Sequence, residues 1–174
     1  MKIRMQNDTN SKVKSQKSKR LFWFFLFIFH CSLFTVLYGC TYDRDIEIVK
    51  NAVRKYNKTL IDVYRDLKTD YLFGVASPRE IGHVEVAVTD FKGKNLFMEA
   101  EIKSIEFGKI DKKKNNEMDV ETKEKWRFRH LMLGSKKEVR PWKDIEYNMI
   151  YHIINEKGIW LVNRAEFAKD AKKK

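Results

Sequence analysis

The chain has 174 residues, with 36 Lys and Arg against 24 Asp and Glu, two Cys, two Pro and a formal charge of +12. That length holds one domain of about 100–150 residues with short appendages, and it excludes a multi-domain enzyme. A basic balance first points to nucleic acid, but residues 1–39 carry seven basic side chains and one acid, so half of the excess, +6, sits in that segment alone.

Residues 1–20 are polar and basic, and residues 21–39 read LFWFFLFIFHCSLFTVLYG, with six of the twelve Phe and no Asp, Glu, Lys or Arg. Nineteen residues in a helix rise about 28 Å, near the hydrocarbon thickness of a bilayer. The rest of the chain is too small to bury such a segment on every side. The order basic, apolar, small is that of a secretory signal. Its end, Leu37-Tyr38-Gly39-Cys40, resembles a bacterial lipobox. The resemblance implies cleavage between Gly39 and Cys40 and a diacylglycerol on the Cys40 thiol. Several acyl chains anchor stably where one would be marginal. The alternative is an uncleaved signal anchor. Either way positive charge stays inside, and the expected location is the bacterial cell envelope, membrane-anchored, with the C-terminal domain outside the cytoplasm. The 134 residues after Cys40 contain no Cys, so a disulfide, a thiol nucleophile and a Cys metal site are excluded there.

Residues 40–44 read as a lipidated tether and 45–167 as the folded domain. Apolar residues at Ile46, Val49, Val53, Tyr56, Leu60, Val63, Tyr64 and Leu67 step by threes and fours, which predicts a long amphipathic helix. Thr69 to Ala76 predicts a short second helix with Leu72, Phe73 and Val75 turned inward. Ser77-Pro78-Arg79-Glu80 has a capping Ser, a Pro at the first helical position and a Glu three residues after the cap, and it opens a third helix bearing Ile81, Val84, Val88 and Phe91. After Asn95 the period becomes two. Leu96 to Ile110 predicts a strand with a bulge near Lys103-Ser104, where the apolar phase slips. Asp111 to Asn116 reads as a turn. In the next strand Met118, Val120, Thr122, Glu124, Trp126, Phe128, His130 and Met132 share one face, and the opposite face is charged. Gly134 to Lys143 reads as a basic loop, and strands follow over 145–154 and 159–167, with a basic tail at 168–174. The fold class is therefore α+β: three helices, then a curved antiparallel four-stranded sheet wrapped around the long helix, preceded by a signal or anchor helix.

The strand residues Val120-x-Thr122-x-Glu124-x-Trp126-x-Phe128, Tyr147-x-Met149-x-Tyr151 and Gly158-x-Trp160-x-Val162 resemble the sheet of the nuclear-transport-factor-2-like superfamily, in particular IMS-like domains. Tyr56-Asn57-x-x-Leu60 and Val75-Ala76-Ser77 are similar to stretches of uncharacterised bacterial lipoproteins of that group. The resemblance implies a cone-shaped, cystatin-like domain with a cavity between sheet and helix. It carries over no catalytic residue, because this fold hosts isomerases, dehydratases, cyclases and non-catalytic binding modules alike.

Glu124 is the one weak catalytic candidate. A carboxylate on an apolar strand face could act as a general base, with Tyr147, Tyr151 or His152 as a neighbour across the hairpin. The plainer reading pairs it with a Lys or Arg at the sheet edge, or turns it to the cone mouth. His130 lies six residues along the same strand, about 20 Å away, too far for a dyad. Glu124, Trp126, Phe128, Tyr147, Tyr151 and Trp160 form the expected wall of a core or pocket. No His spacing suits a metal, and nothing calls for a cofactor. The runs Lys112-Lys113-Lys114, Lys136-Lys137 with Arg140, and Lys172-Lys173-Lys174 lack interleaved aromatics and read as solubilising loop charge, so nucleic acid is not an expected partner. The expected partners are the membrane, an envelope protein or a second copy of the chain. The function that follows is a membrane-anchored, non-catalytic ligand- or protein-binding domain; the alternatives are a signal-anchored protein with the same domain, or an isomerase-, dehydratase- or cyclase-like enzyme using Glu124.

Overall fold

The computed structural model describes residues 44–168. The segment 1–39, Gly39 and Cys40 at its end, and the tail beyond 168 lie outside the described residues. Among the described residues no helix is long and apolar enough to cross a membrane.

Helix α1 runs over 44–66. Its stripe of Val49, Val53, Tyr56 and Val63 is buried, with Leu60 and Tyr64 packed at the margin. The opposite side is solvated and carries ion pairs such as Arg54 with Glu47 at 3.0 Å. Such exposed pairs contribute little, so the apolar stripe is what holds α1 down.

The short second helix expected over Thr69 to Ala76 is instead a single 3-10 turn, Thr69–Leu72. Gly74, at φ +72°, stops any continuation, because that left-handed geometry has no place in a right-handed helix. The backbone then becomes a strap. Val162 N–H donates to Val75 C=O at 3.1 Å, and Ser77 N–H donates to Val162 C=O at 2.9 Å. Leu72 and Val75 point inward as expected, but Phe73 points out and is 69% exposed, since extended backbone alternates its side chains.

Helix α2 spans Pro78–Gly93, with Ser77 as its cap: Glu80 N–H donates to Ser77 Oγ at 3.5 Å. Val84 and Val88 are buried, as the four-residue step predicts. The sheet is an antiparallel meander in the order β1-β2-β3-β4: β1 Leu96–Lys114, β2 Glu117–Met132, β3 Glu138–Glu156 and β4 Ile159–Phe167. The expected bulge in β1 falls between Ile102 and Ser104, and a second irregularity follows between Phe107 and Ile110. These let a long strand curve around α1.

Two boundaries differ from expectation. The turn read over Asp111 to Asn116 is shorter, because β1 continues to Lys114 opposite Glu117. The basic loop read over Gly134 to Lys143 is mostly strand, with Leu131 opposite Glu138 and His130 opposite Arg140. Pro141 hid this strand from a pattern search, but β4 pairs with β3 only over Met149–Glu156. Pro141 thus lies on an outer edge that needs no N–H donor among the described residues. On the outer face Trp142 packs under Arg127 and Arg129, whose guanidinium carbons lie 5.1 and 4.9 Å from its ring centre.

Leu72 is fully buried and ties the 3-10 turn to the core. Leu72→Ala should lower unfolding free energy by about 2–5 kcal/mol in urea titration, as other buried Leu truncations do. A loss well under 1 kcal/mol would mean that the turn does not pack on the core.

Candidate functional site

The concave face of the sheet and the two helices enclose an open cavity of about 500 Å³. It has a polar floor and apolar walls. On the floor, the helical step that buries Val53 and Tyr56 also buries Asn57, and the alternation of β2 buries Thr122 and Glu124. Glu124 is 1% exposed. Its Oε1 accepts from Asn57 Nδ2 at 2.9 Å, from the Thr122 hydroxyl at 2.8 Å and from the Tyr151 hydroxyl at 2.7 Å. Its Oε2 accepts from Trp126 Nε1 at 2.7 Å. All four partners are donors, which suits acceptor-only carboxylate oxygens. Among the described residues no Lys or Arg bonds to Glu124, and neutral donors stand where its plainer reading expected a sheet-edge ion pair.

A second buried carboxylate, Glu80, lies beside this cluster. The Tyr56 hydroxyl donates to its Oε1 at 2.5 Å, and Ala165 N–H on β4 donates to its Oε2 at 3.3 Å. His83 Nδ1 approaches Oε2 at 3.4 Å from the solvent side. Tyr56 and Tyr151 meet edge to face at 6.1 Å between ring centres, joining the two clusters. Burial, followed by the charge of the facing Glu, pushes both phenols well above their ordinary value. Both therefore remain protonated donors at neutral pH.

The sequence reading missed Glu80, assigning it only to helix capping. The signal was present: Glu80, Val84 and Val88 are spaced by four, which puts the carboxylate on the apolar face of α2. Asn57 was likewise readable, lying four residues after Val53.

Of the expected wall residues, Glu124, Trp126, Phe128, Tyr147 and Tyr151 line the cavity. Trp160 does not. Its side of β4 borders a separate groove of about 300 Å³ with Ile48, Val75 and Ile159. Tyr147 sits opposite Glu124 in register but makes no bond to it; its ring packs on Phe167 at 5.3 Å. His152 points to the outer face, where Nδ1 lies 2.7 Å from Asp119 and Nε2 lies 3.2 Å from Glu166. Phe91, Leu60, Met98, Ala100 and Met149 complete the apolar wall.

The chemistry open to this arrangement is limited. A general base must present a free lone pair to the substrate. The Glu124 oxygens are engaged by four internal donors, and Glu80 by two. Most of the remaining lining is apolar and aromatic, with His83, His130 and Arg140 as its further polar members.

No protein-family model matches the chain, and no curated protein matches it. Among solved structures, it is similar to the intermembrane space region of the chloroplast protein ARC6: 13% identity, 70% of this chain, 94% of that one and a TM-score of 0.61. A periplasmic fragment of TraM is 8% identical over 69% of this chain and 97% of that one, with a TM-score of 0.48. A cystatin-like domain of unknown function from Nostoc punctiforme is 10% identical over 72% of this chain and 79% of that one, at 0.40. Only the first is close enough to carry weight, and at that identity it shows the fold alone. The curved four-stranded sheet over two helices is thus a known architecture, in keeping with the fold expected from the strand residues.

Glu124→Gln places an amide N–H₂ among four donors. It should cost about 1–3 kcal/mol or more in urea unfolding, and Tyr151→Phe about 1–1.5 kcal/mol. A neutral Glu124→Gln would mean that the donors are not directed at the carboxylate.

The raised phenols also set an alkaline limit. The folded state holds its Tyr56 and Tyr151 protons more tightly than the unfolded chain does. Their contribution is therefore whole below the ordinary tyrosine value near 10 and declines as pH rises above it. Unfolding free energy should fall steadily above about pH 10, and the fall should be shallower in Tyr56→Phe and Tyr151→Phe. Identical slopes in all three proteins would contradict this linkage.

Proposed function

We propose that this protein is a non-catalytic binding module, tethered to the outer side of a bacterial membrane through a lipid on Cys40, and that the cavity between helices and sheet is its ligand site. The observation that carries the reading is the division within the cavity. Its carboxylates are buried and engaged by internal donors, four on Glu124 and two on Glu80, while its walls present Leu60, Phe91, Met98, Phe128 and Met149 to whatever enters. A volume of about 500 Å³ lies within the usual range for small-molecule sites. Such a pocket holds an apolar ligand and does no acid–base chemistry on it.

The tether rests on the sequence. A basic stretch, nineteen apolar residues and Cys40 after Gly39 support export and lipidation, and the absence of any later Cys agrees with it. The solved domain with this fold at a TM-score of 0.61 is the intermembrane space region of the chloroplast protein ARC6, which supports a place outside the cytoplasm for this domain. A signal anchor with the same domain would serve the same tethering role.

Two measurements test the proposal. Intact mass spectrometry of membrane fractions should find a chain beginning at Cys40 with acyl mass added, and Cys40→Ser should accumulate unprocessed. A full-length unmodified chain in the membrane would replace the lipid with an uncleaved anchor. For the cavity, Ala100→Trp fills the wall opposite Phe128, its register partner. It should reduce binding of an environment-sensitive apolar dye by about tenfold or more while the fold, followed by circular dichroism, is kept. Equal dye binding by both proteins would remove the cavity as the site.

A further inference from the structure

The floor of the cavity is closed, but its other end is not. His130 and Arg140 are direct register partners on β2 and β3, so their side chains project to the same face, and both line the cavity. The His130 ring is 8% exposed and is packed against Phe91 at 5.5 Å and Phe128 at 5.6 Å between ring centres. Its Nδ1 is buried without a hydrogen-bond partner, and most buried polar atoms do not go unpartnered without a reason. Arg140 is exposed on the edge of β3, and among the described residues no carboxylate is paired with it, whereas Arg127 and Arg129 on the outer face face Asp144, Glu99 and Glu138. One end of an apolar cavity thus holds one uncompensated cation and one unsatisfied imidazole.

We propose that the cavity takes a monoanionic amphiphile, a long-chain carboxylic acid, with its carboxylate at Arg140 and His130 and its apolar body along Met98, Ala100 and Phe128 toward Trp126. This rests on the reading of the cavity as a binding site and names what enters it. Arg binds a carboxylate through two parallel N–H donors, a geometry that a single exposed guanidinium provides. Burial, with Arg140 adding to it, pushes the His130 imidazole below its ordinary value, so the ring is neutral near pH 7. Among the described residues that line this end of the cavity, Arg140 is then the charged side chain. A carboxylate matches it, while a phosphate monoester brings about −1.5 to −2 and leaves charge uncompensated beside Phe91 and Phe128. The six residue steps from Glu124 to His130 span about 20 Å, which gives the body an elongated path. At the Glu124 end the carboxylate is already engaged by four internal donors, so the head is placed at the Arg140 end.

The test uses the full chain in nanodiscs of zwitterionic phospholipid, irradiated with a diazirine analogue of palmitic acid. The matching alcohol and alkyl phosphate are run in parallel. Adducts are mapped by peptide mass spectrometry, and cavity-facing residues of β1 and β2 are compared with outward-facing residues of the same strands, which report labelling outside the cavity. The acid should label the cavity peptides about tenfold more than the alcohol and more than the phosphate. Arg140→Glu, an exposed substitution that spares the core, should reduce acid labelling to the level of the alcohol. His130→Phe, which keeps the ring packing, should weaken labelling by the acid and leave the alcohol unchanged. Equal cavity labelling by acid and alcohol, stronger labelling by the phosphate, or no response to Arg140→Glu would overturn the carboxylate while keeping the cavity. If no probe labels the cavity in any protein, the binding-module reading falls with it.

Discussion

The buried carboxylate of Glu124 is the constraint that the rest of the domain obeys. A charge removed from water is tolerated only when its lone pairs are met. Here the donors come from α1, from two positions on β2 and from β3. All must arrive at once, so α1 has one permitted height and one permitted rotation over the sheet. Apolar packing of Val49, Val53 and Val63 holds the helix down but would accept a sliding or rolling helix at little cost. The polar cluster removes that freedom. Glu80 applies the same device to α2 and β4 through Tyr56 and Ala165.

This economy of donors shapes what remains available to a ligand. A tyrosine hydroxyl has one proton, and those of Tyr56 and Tyr151 face carboxylates of the protein itself. Trp126 and Thr122 are committed in the same way. The polar residues of this floor are therefore tied to one another, and the rest of the concave face consists of flat rings, thioethers and the groups at the opposite rim.

The residues announced the fold more fully than the site. The three- and four-residue steps of α1 and α2 and the strict alternation of β2 placed helices, sheet and the buried face correctly, because each is a local period that burial enforces. The phase slip in β1 even located its bulge. Where the reading failed, the deciding contact was distant. Thr69 to Ala76 has helical spacing, yet Gly74 and the pairing of Ala76 with Val162 turn it into a strap. Pro141 in a basic stretch looks like a loop until the missing neighbour strand shows that its nitrogen has nothing to bond. Glu124 stood out on its strand, but its donors lie up to 94 positions apart, as between Asn57 and Tyr151, and no local pattern links them. Glu80 was masked by a second, local explanation in helix capping.

The brevity of β4 has a dynamic consequence. It covers β3 only from Met149 onward, and the outward backbone of 138–147 has no partner strand among the described residues. Amide protons along that margin meet solvent directly, and local opening there breaks few bonds. The same margin carries Arg140 and the ring of Tyr147. Hydrogen exchange should thus be fastest at the rim of the cavity and slowest around Glu124, so that the entrance can breathe on a short timescale while the floor stays rigid.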